Sequence, residues 1–332
     1  MKLKNQNNTN FNEITKLISS SKQKAYAQVN KTLIKLYWDI GRYISTKTIK
    51  ENWGKGVVQE LASYIKLQDP TMKGFTSRNL WRMKQFYEVY EGNQKVSALL
   101  TQLTWTNNLL ILSSSKSEEE REFYILTSIK SKYSSRELER QIKSGMFERT
   151  MLANEKLSSV VKELPQDTTN VFRDTYSLDF LNLPTQHKEK NLQKALISSL
   201  KDFILELGIG FAFIGEEYRL QVGDEDFYID LLFYHRDLKC LVAFELKVGK
   251  FKPSHLGQLE FYLEALDRDV KRDDENPSIG VLLCRKKDDE VVEYALSRSL
   301  SPTVVSEYET KLIPKKILRD KMNELYEKYS HR

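Results

Sequence analysis

The sequence predicts an all-α N-terminal half followed by an α/β domain in which helices flank a mixed sheet. Apolar residues recur every three or four positions through much of residues 1–150, which is typical of amphipathic helices. From residue 189 onwards, helical segments alternate with short apolar runs that are typical of strands. The order of these later elements is helix, three strands, helix, strand, helix, strand, which indicates a mixed sheet covered by helices.

The distribution of charge supports the same division. Residues 1–150 carry 25 Lys and Arg and 14 Asp and Glu, a net charge of +11, whereas residues 151–332 carry a net charge of −5. A basic first half indicates contact with a polyanion such as nucleic acid, and the second half concentrates carboxylates. A helical domain with a lysine-rich surface would also explain the first half.

The composition predicts a cytoplasmic protein. No apolar run reaches the roughly 18 residues of a membrane span. The polar N-terminus lacks the apolar segment of a signal peptide. Cys240 and Cys284 both lie in apolar strand-like runs, so we expect reduced core residues and no disulfide.

The first half begins with helical periodicity from residue 12 to residue 49. The segment 57–90 then predicts a helix-turn-helix, with its second helix over 76–90 capped by Thr76 or Ser77. Side chains of the types that reach phosphates and base edges lie off the apolar stripe of that second helix, at Arg78, Asn79, Arg82 and Gln85. The alternative is a helical domain that serves oligomerisation or binding of a protein partner.

A connector with two prolines separates the halves. Residues 151–188 mix Pro165, Pro184 and polar clusters with short apolar patches, so we expect the connector to pack and not to be extended in solvent.

The predicted organisation is therefore a basic helical domain over 1–150, a packed connector over 151–188 and an α/β domain over 189–332. The elements predicted for the α/β domain are a helix over 189–207, strands over 211–220, 227–234 and 240–247, a helix over 254–268, a strand over 278–284, a helix over 288–297, a strand over 303–307 and a helix over 314–329.

Three charged residues interrupt the most apolar region of this domain, "FYIDLLFYHRDLKCLVAFELK". Glu245 and Lys247 are two apart in one strand and so share a face, and a short link makes the strand of Asp230 its hairpin neighbour. Two carboxylates and a backbone carbonyl form an oxygen site suited to Mg²⁺ or Mn²⁺, with Lys247 beside it. Such a site suits hydrolysis of a phosphodiester. The alternative is that these charges face solvent on an edge strand.

Other residues could extend this site. Gln258 and Tyr262 share one face of the following helix. Lys250 and Lys252 precede that helix, where they could meet phosphate, and Glu189 opens the preceding helix and could supply another acid.

The combination of "YID", "ELK" after 14 residues, and then "QLEFY" resembles the PD-(D/E)xK nuclease superfamily, in the branch with a Q-x-x-x-Y motif. More closely, the second half is similar to the YhcG family of bacterial proteins, and "LYWDIGRYI", "GFTSRNLWRMKQFY" and "SSRELERQIKSGMFER" resemble that family's N-terminal domain. The resemblance covers about residues 12–325 and implies a restriction-endonuclease-like fold for the second half.

The resemblance also implies roles for single residues. Asp230 and Glu245 would bind the metal, Lys247 would be the catalytic lysine, and Gln258 would act in the site with support from Tyr262 and Glu189. Two positions depart from the superfamily pattern, because Ile229 stands where a proline precedes the aspartate and Gln193 where an acid is expected.

The function predicted from these observations is a metal-dependent nuclease, most simply a DNA endonuclease that needs Mg²⁺ or Mn²⁺. Nothing in the sequence separates RNA from DNA as the substrate. The rival hypothesis is a non-cleaving adaptor that binds nucleic acid in a restriction or DNA-maintenance system. Homo-oligomers and a restriction-system partner are compatible with either hypothesis.

Overall fold

The computed structural model describes residues 2–153, 156–164, 168, 171–184 and 186–330, with the side chains of 2–10, 12, 156 and 325–330 left out. Parts of the predicted connector therefore lie outside the described residues. The chain divides into two compact units, Met1–Arg140 and Gln141–Arg332. Among the described helices, none contains a stretch long and apolar enough to cross a membrane.

The first unit is helical, as predicted. Its helices are α1 (Lys2–Glu51), α2 (Lys55–Gln68), α3 (Ser77–Tyr90), α4 (Gln94–Leu100), α5 (Trp105–Ser114), α6 (Glu118–Ser131) and α7 (Ser135–Lys143), which crosses the boundary between the units. Side-chain oxygens cap several of these helices because the first backbone N–H groups of a helix have no partner within it. The capping residues of α3 to α6 are Thr76, Asn93, Thr104 and Ser117.

The core of this unit lies where α1 crosses α3. Leu80, Met83 and Phe86 on α3 are fully buried. The two backbones approach so closely that a Cβ atom built on Gly41 would lie 2.1 Å from the carbonyl oxygen of Met83, so only glycine fits at this crossing. Towards the start of α1 the predicted apolar stripe is not buried, since Ile14 is more than half exposed.

The second unit contains a seven-stranded mixed sheet within the described residues. Its elements are α8 (Met146–Met151), β1 (Lys156–Leu157), α9 (Ser159–Glu163), β2 (Thr175–Ser177), α10 (Glu189–Ser198), α11 (Leu200–Leu207), β3 (Phe211–Val222), β4 (Glu225–His235), β5 (Cys240–Lys250), α12 (Ser254–Ala265), β6 (Ile279–Lys286), α13 (Asp289–Leu296), β7 (Thr303–Glu309) and α14 (Lys315–Ser330). A single helix predicted over 189–207 is in fact two. Ser199, with φ −114° and ψ 29°, leaves the helical conformation between them.

The strand order is β1-β7-β6-β5-β4-β3, and β2 also pairs with β7. Strands β3, β4 and β5 form an antiparallel meander, whereas β5, β6 and β7 run parallel. The parallel strands are joined through α12 and α13, as parallel pairing requires a crossover connection. The mixed sheet predicted from the order of elements is therefore confirmed.

Both faces of the sheet are covered, which explains the near-continuous apolar runs of its central strands. On one face, Phe233 and Phe244 pack against Phe203 of α11. On the other face, Leu232 and Leu282 belong to the cluster that includes α12 and α13. The two cysteines are buried and unbridged, as predicted, and they are Cys240 and Cys284.

The described part of segment 151–188 lies against the outer edge of the sheet. Strand β1 pairs antiparallel with β7, and β2 pairs parallel with the same strand. The hydroxyl of Ser158 donates to the carbonyl of Ser301 at 2.9 Å and accepts the N–H of Thr303 at 3.1 Å. This segment therefore completes the sheet beyond β7.

Candidate active site

The hairpin of β4 and β5 brings Asp230 and Glu245 together. The register pairs Leu231 with Phe244, and continuing it by one residue places Asp230 opposite Glu245. The backbone ladder stops at that point, and the N–H of Leu246 donates instead to Oδ2 of Asp230 at 2.8 Å. The carboxylate of Asp230 is thus fixed by the backbone of the neighbouring strand.

Gln193 on α10 holds the same residue from another side. Its Nε2 donates to the backbone carbonyl of Asp230 at 3.2 Å, and Gln193 is buried. The sequence pattern marks this glutamine only as a departure from an expected acid. Its spacing of four from Glu189, which puts both residues on one face of α10, was the available signal.

Glu245 and Lys247 form an ion pair in the site. Nζ of Lys247 lies 2.8 Å from Oε1 of Glu245 and 3.7 Å from Oε2 of Glu189. Burial lowers the pKa of Lys247 more than any other single influence, but the hydrogen bond to Glu245 and the surrounding carboxylates together raise that pKa above its ordinary value. Lys247 therefore stays positively charged and is held in place by the carboxylates of Glu245 and Glu189.

The second oxygen of Glu245 lacks a partner. Glu245 is only 2% exposed, and its buried Oε2 accepts no hydrogen bond within the described part of the chain. Burial raises the pKa of Glu245 to about 7, and the charge of Asp230 adds to that rise against the opposing effect of Lys247. Burial likewise raises the pKa of Asp230, while the Leu246 N–H and Lys247 lower it.

These observations suit a divalent cation. A buried carboxylate oxygen without a donor, close to a second carboxylate, is stabilised when a cation lies between the two acids. Oxygen donors of this kind fit Mg²⁺ or Mn²⁺. Over the residues that the structure describes, no three Asp, Glu, His or Cys side chains converge on one point. The residues that could hold the ion are Asp230 and Glu245, because they lie on adjacent strands and Oε2 of Glu245 has no other partner among the described residues.

Gln258 and Tyr262 meet each other beside this group. Nε2 of Gln258 donates to the hydroxyl of Tyr262 at 2.6 Å. Tyr262 is buried, and burial raises its pKa, with the charges of Glu245 and Asp230 adding to the rise. The exposed Gln258 is linked to the site by its hydrogen bond to Tyr262, and Glu189 is linked to it by its ion pair with Lys247.

The entrance to α12 carries the two predicted lysines and a histidine that sequence reasoning missed. Lys250 and Lys252 are exposed, and Nζ of Lys250 lies 3.5 Å from Asp288. Nδ1 of His255 accepts the N–H of Lys252 at 3.3 Å. Partial burial lowers the pKa of His255, and the charges of Lys247 and Lys252 lower it further. A histidine directly after "KPS" was the available signal.

The residues predicted to bind DNA in the first unit differ in accessibility. Arg78 and Gln85 on α3 are exposed, whereas Arg82 is half-buried. Asn79 has internal partners, because its Nδ2 donates to the carbonyl of Gly74 and its Oδ1 accepts the Trp105 Nε1–H at 3.0 Å. Contact of these side chains with DNA stays a prediction.

The raised pKa of Glu245 predicts how the stability of the metal-free protein depends on pH. An acid whose pKa rises from 4.5 to about 7 on folding stabilises the fold below the lower value, and that contribution is lost as pH rises through about 7. We expect Glu245→Gln to remove this loss. Urea unfolding in EDTA at pH 5 and pH 8 measures it, and an equal fall in stability for both proteins would contradict the assignment.

The PD-(D/E)xK class of nuclease domain is defined by two features that this chain has. One is an aspartate on one strand of a hairpin with Glu-x-Lys on the other, and the second is a core in the order helix, three strands, helix, strand. Comparisons with known proteins agree. The model of the YhcG PDDEXK nuclease domain matches residues 169–323, and that of the DUF1016 N-terminal domain matches residues 13–149. A protein of Escherichia coli (strain K12) named "Putative nuclease YhcG" is 32% identical over 93% of this chain and 92% of its own length. The chain belongs to the YhcG family.

Two solved structures show partial likeness to the chain. A repair endonuclease from Pyrococcus abyssi is 18% identical, with a TM-score of 0.26 over 39% of this chain and 49% of its own. The EndoMS–dsDNA2 complex is 21% identical, with a TM-score of 0.24 over 33% of this chain and 44% of that chain. This chain thus spans less than half of the length of either structure.

Proposed function

We propose that this protein is a divalent-metal-dependent DNA endonuclease, with Mg²⁺ or Mn²⁺ held by Asp230 and Glu245. The observation that carries the proposal is the buried Oε2 of Glu245, which lacks a hydrogen-bond donor and lies in the group formed with Asp230 and Lys247. A binding module without turnover would gain nothing from three buried or half-buried charges at one end of a hairpin.

A divalent ion bound here would supply positive charge that stabilises the phosphate as its charge develops during hydrolysis. Lys247 is positioned to donate a hydrogen bond to the attacking water or to a phosphate oxygen. Its ammonium group stays charged at neutral pH because neighbouring carboxylates raise its pKa. Glu245 fixes the direction of the Lys247 side chain through the 2.8 Å contact.

Other residues keep the acids in place. The Leu246 N–H and the Gln193 amide hold Asp230 from two directions, so its carboxylate needs little reorganisation when an ion binds. Tyr262 on α12 accepts a hydrogen bond from Gln258 and lies close enough to Glu245 and Asp230 for their charges to raise its pKa. Glu189 contacts Lys247 from α10 and adds a fourth charge to the group.

The surface charge supports DNA as the substrate. Residues 1–150 carry a net charge of +11, and a polyanion is the partner that such a charge attracts. Exposed Arg78 and Gln85 on α3 could contact the duplex, and Lys250 and Lys252 could contact phosphates next to the scissile bond. The N-terminal domain would thus engage DNA, or a protein partner that brings the nuclease to DNA.

The proposal is tested by incubating the purified full-length protein with linear duplex, branched, single-stranded and modified DNA and with RNA. Each substrate is assayed with Mg²⁺, with Mn²⁺ and with EDTA. We expect cleavage of at least one DNA substrate with a divalent ion and none in EDTA. Binding without turnover under every condition would favour the adaptor, and cleavage of RNA alone would replace DNA as the substrate.

A further inference from the structure

Strand β3 is irregular at Glu217. Its neighbours Glu216 and Tyr218 pair in register with Leu231 and Ile229 of β4, but Glu217 itself forms no such pair. Its φ is +44°, in the left-handed region that side chains other than glycine rarely adopt. A non-glycine residue kept in this conformation inside a strand is unfavourable for folding alone, so a function is a reason to retain it.

The register places Glu217 across from Asp230. The pairs on either side of it, Glu216 with Leu231 and Tyr218 with Ile229, leave Asp230 as the residue opposite. Glu245 lies opposite Asp230 on the other neighbouring strand, so the three acids occupy three adjacent strands in one row.

Glu217 is exposed and has no hydrogen bond or ion pair with another described side chain. An acid beside two further acids is repelled by them unless a cation offsets the charge. The buried Oε2 of Glu245, which lies in the same row and accepts no hydrogen bond among the described residues, independently indicates a place suited to a cation. Since no three acids among the described residues converge to ligate one ion directly, Glu217 would act at a distance.

We propose that Glu217 is a positioning residue for the divalent ion, which it contacts through a water molecule of the ion's hydration shell. This inference rests on the proposed metal site of Asp230 and Glu245. Mg²⁺ keeps several of its waters when one or two carboxylates bind it, so an outer carboxylate has a water to accept from. The left-handed backbone of Glu217 would place its side chain for that contact.

Glu217→Gln tests the proposal, and Glu216→Gln is the matched control because it removes another exposed acid from the adjacent position. Titration calorimetry with Mn²⁺ on the full chain measures affinity directly. We expect Glu217→Gln to weaken Mn²⁺ binding by about 10-fold, as is usual for outer-shell groups, and Glu216→Gln to leave it unchanged. Circular dichroism and the melting temperature in EDTA confirm that both variants are folded.

Asp230→Asn separates this proposal from the proposed function, because its amide oxygen can still accept the Leu246 N–H. If the wild type binds Mn²⁺, Asp230→Asn does not, and Glu217→Gln binds like the wild type, then Glu217 has no such role while the metal site stands. If the wild type itself binds no Mn²⁺, both proposals are overturned. Equal weakening by Glu216→Gln would show a general charge effect and also overturn the role of Glu217.

Discussion

Replacing Lys247 by alanine is expected to lower the rate of the proposed metal-dependent phosphodiester cleavage by about 10³-fold, the loss that removal of one positioned electrostatic donor produces. Lys247 is the fixed cation next to Glu245 and Glu189, and no other lysine has an ion pair with either acid among the described residues. Single-turnover cleavage with saturating Mg²⁺ isolates the chemical step and measures this loss.

The fold should survive this substitution. Without Lys247 the pKa of Glu245, already raised by burial, rises further, and the acid takes up a proton instead of remaining as a buried unpaired charge. Lys247→Met, which keeps most of the aliphatic side chain, is a second variant in case alanine perturbs packing. Lys201→Ala on α11, an exposed lysine, is the control. Cleavage by Lys247→Met at the wild-type rate would contradict the catalytic role.

Replacing Glu206 by alanine is expected to lower the free energy of unfolding by about 3–5 kcal/mol, as is found when one partner of a buried ion pair is removed. Glu206 is fully buried, and its Oε1 lies 3.0 Å from Nη1 of Arg149 and 3.2 Å from Nη1 of Arg173. The same oxygen accepts the N–H of Ser177 at 2.8 Å. The carboxylate therefore pairs with two guanidinium groups at once and, through the Ser177 N–H, fixes β2 to α11.

Urea unfolding at pH 7 measures the effect of Glu206→Ala. The control is Glu264→Ala, because Glu264 near the end of α12 pairs with Arg268 just beyond that helix, and the two side chains are 62% and 74% exposed. Exposed pairs of this kind contribute little, so the control should unfold at the wild-type midpoint. Equal midpoints for both variants and the wild type would show that the buried pair is not needed for stability.

The residues of the candidate metal site could be predicted because they follow from short-range rules. Alternation within β5 places Glu245 and Lys247 on one face, and the four-residue link between β4 and β5 forces a hairpin that brings Asp230 beside them. Apolar runs bounded by turns predict the main strands correctly, because the strands of a sheet that is covered on both faces are apolar along their whole length. The predicted ends of these five strands lie within about three residues of the observed ends, but the single helix predicted over 189–207 is divided at Ser199.

Other features depend on contacts between distant residues and leave no local pattern. The backbone pairing of β4 with β5 ends before Asp230. The Asp230 carboxylate therefore accepts the Leu246 N–H, and its backbone carbonyl accepts the Gln193 side-chain amide. The left-handed conformation of Glu217 likewise has no signature, because glutamate is not a residue that favours it. Strands β1 and β2 are two and three residues long, which is too short for any periodicity to appear.

The pairing of β1 and β2 with β7 determines where the protein can be divided for separate study of its halves. A fragment that starts at residue 189, where the residues of the candidate site begin, would leave the outer side of β7 without these two strands. An open strand edge of apolar residues is a template for pairing with other chains, and such a fragment would tend to aggregate. A fragment that starts at Gln141 keeps both strands and the buried Arg149–Glu206 pair. Dissection of activity between the two halves should therefore use the earlier starting point.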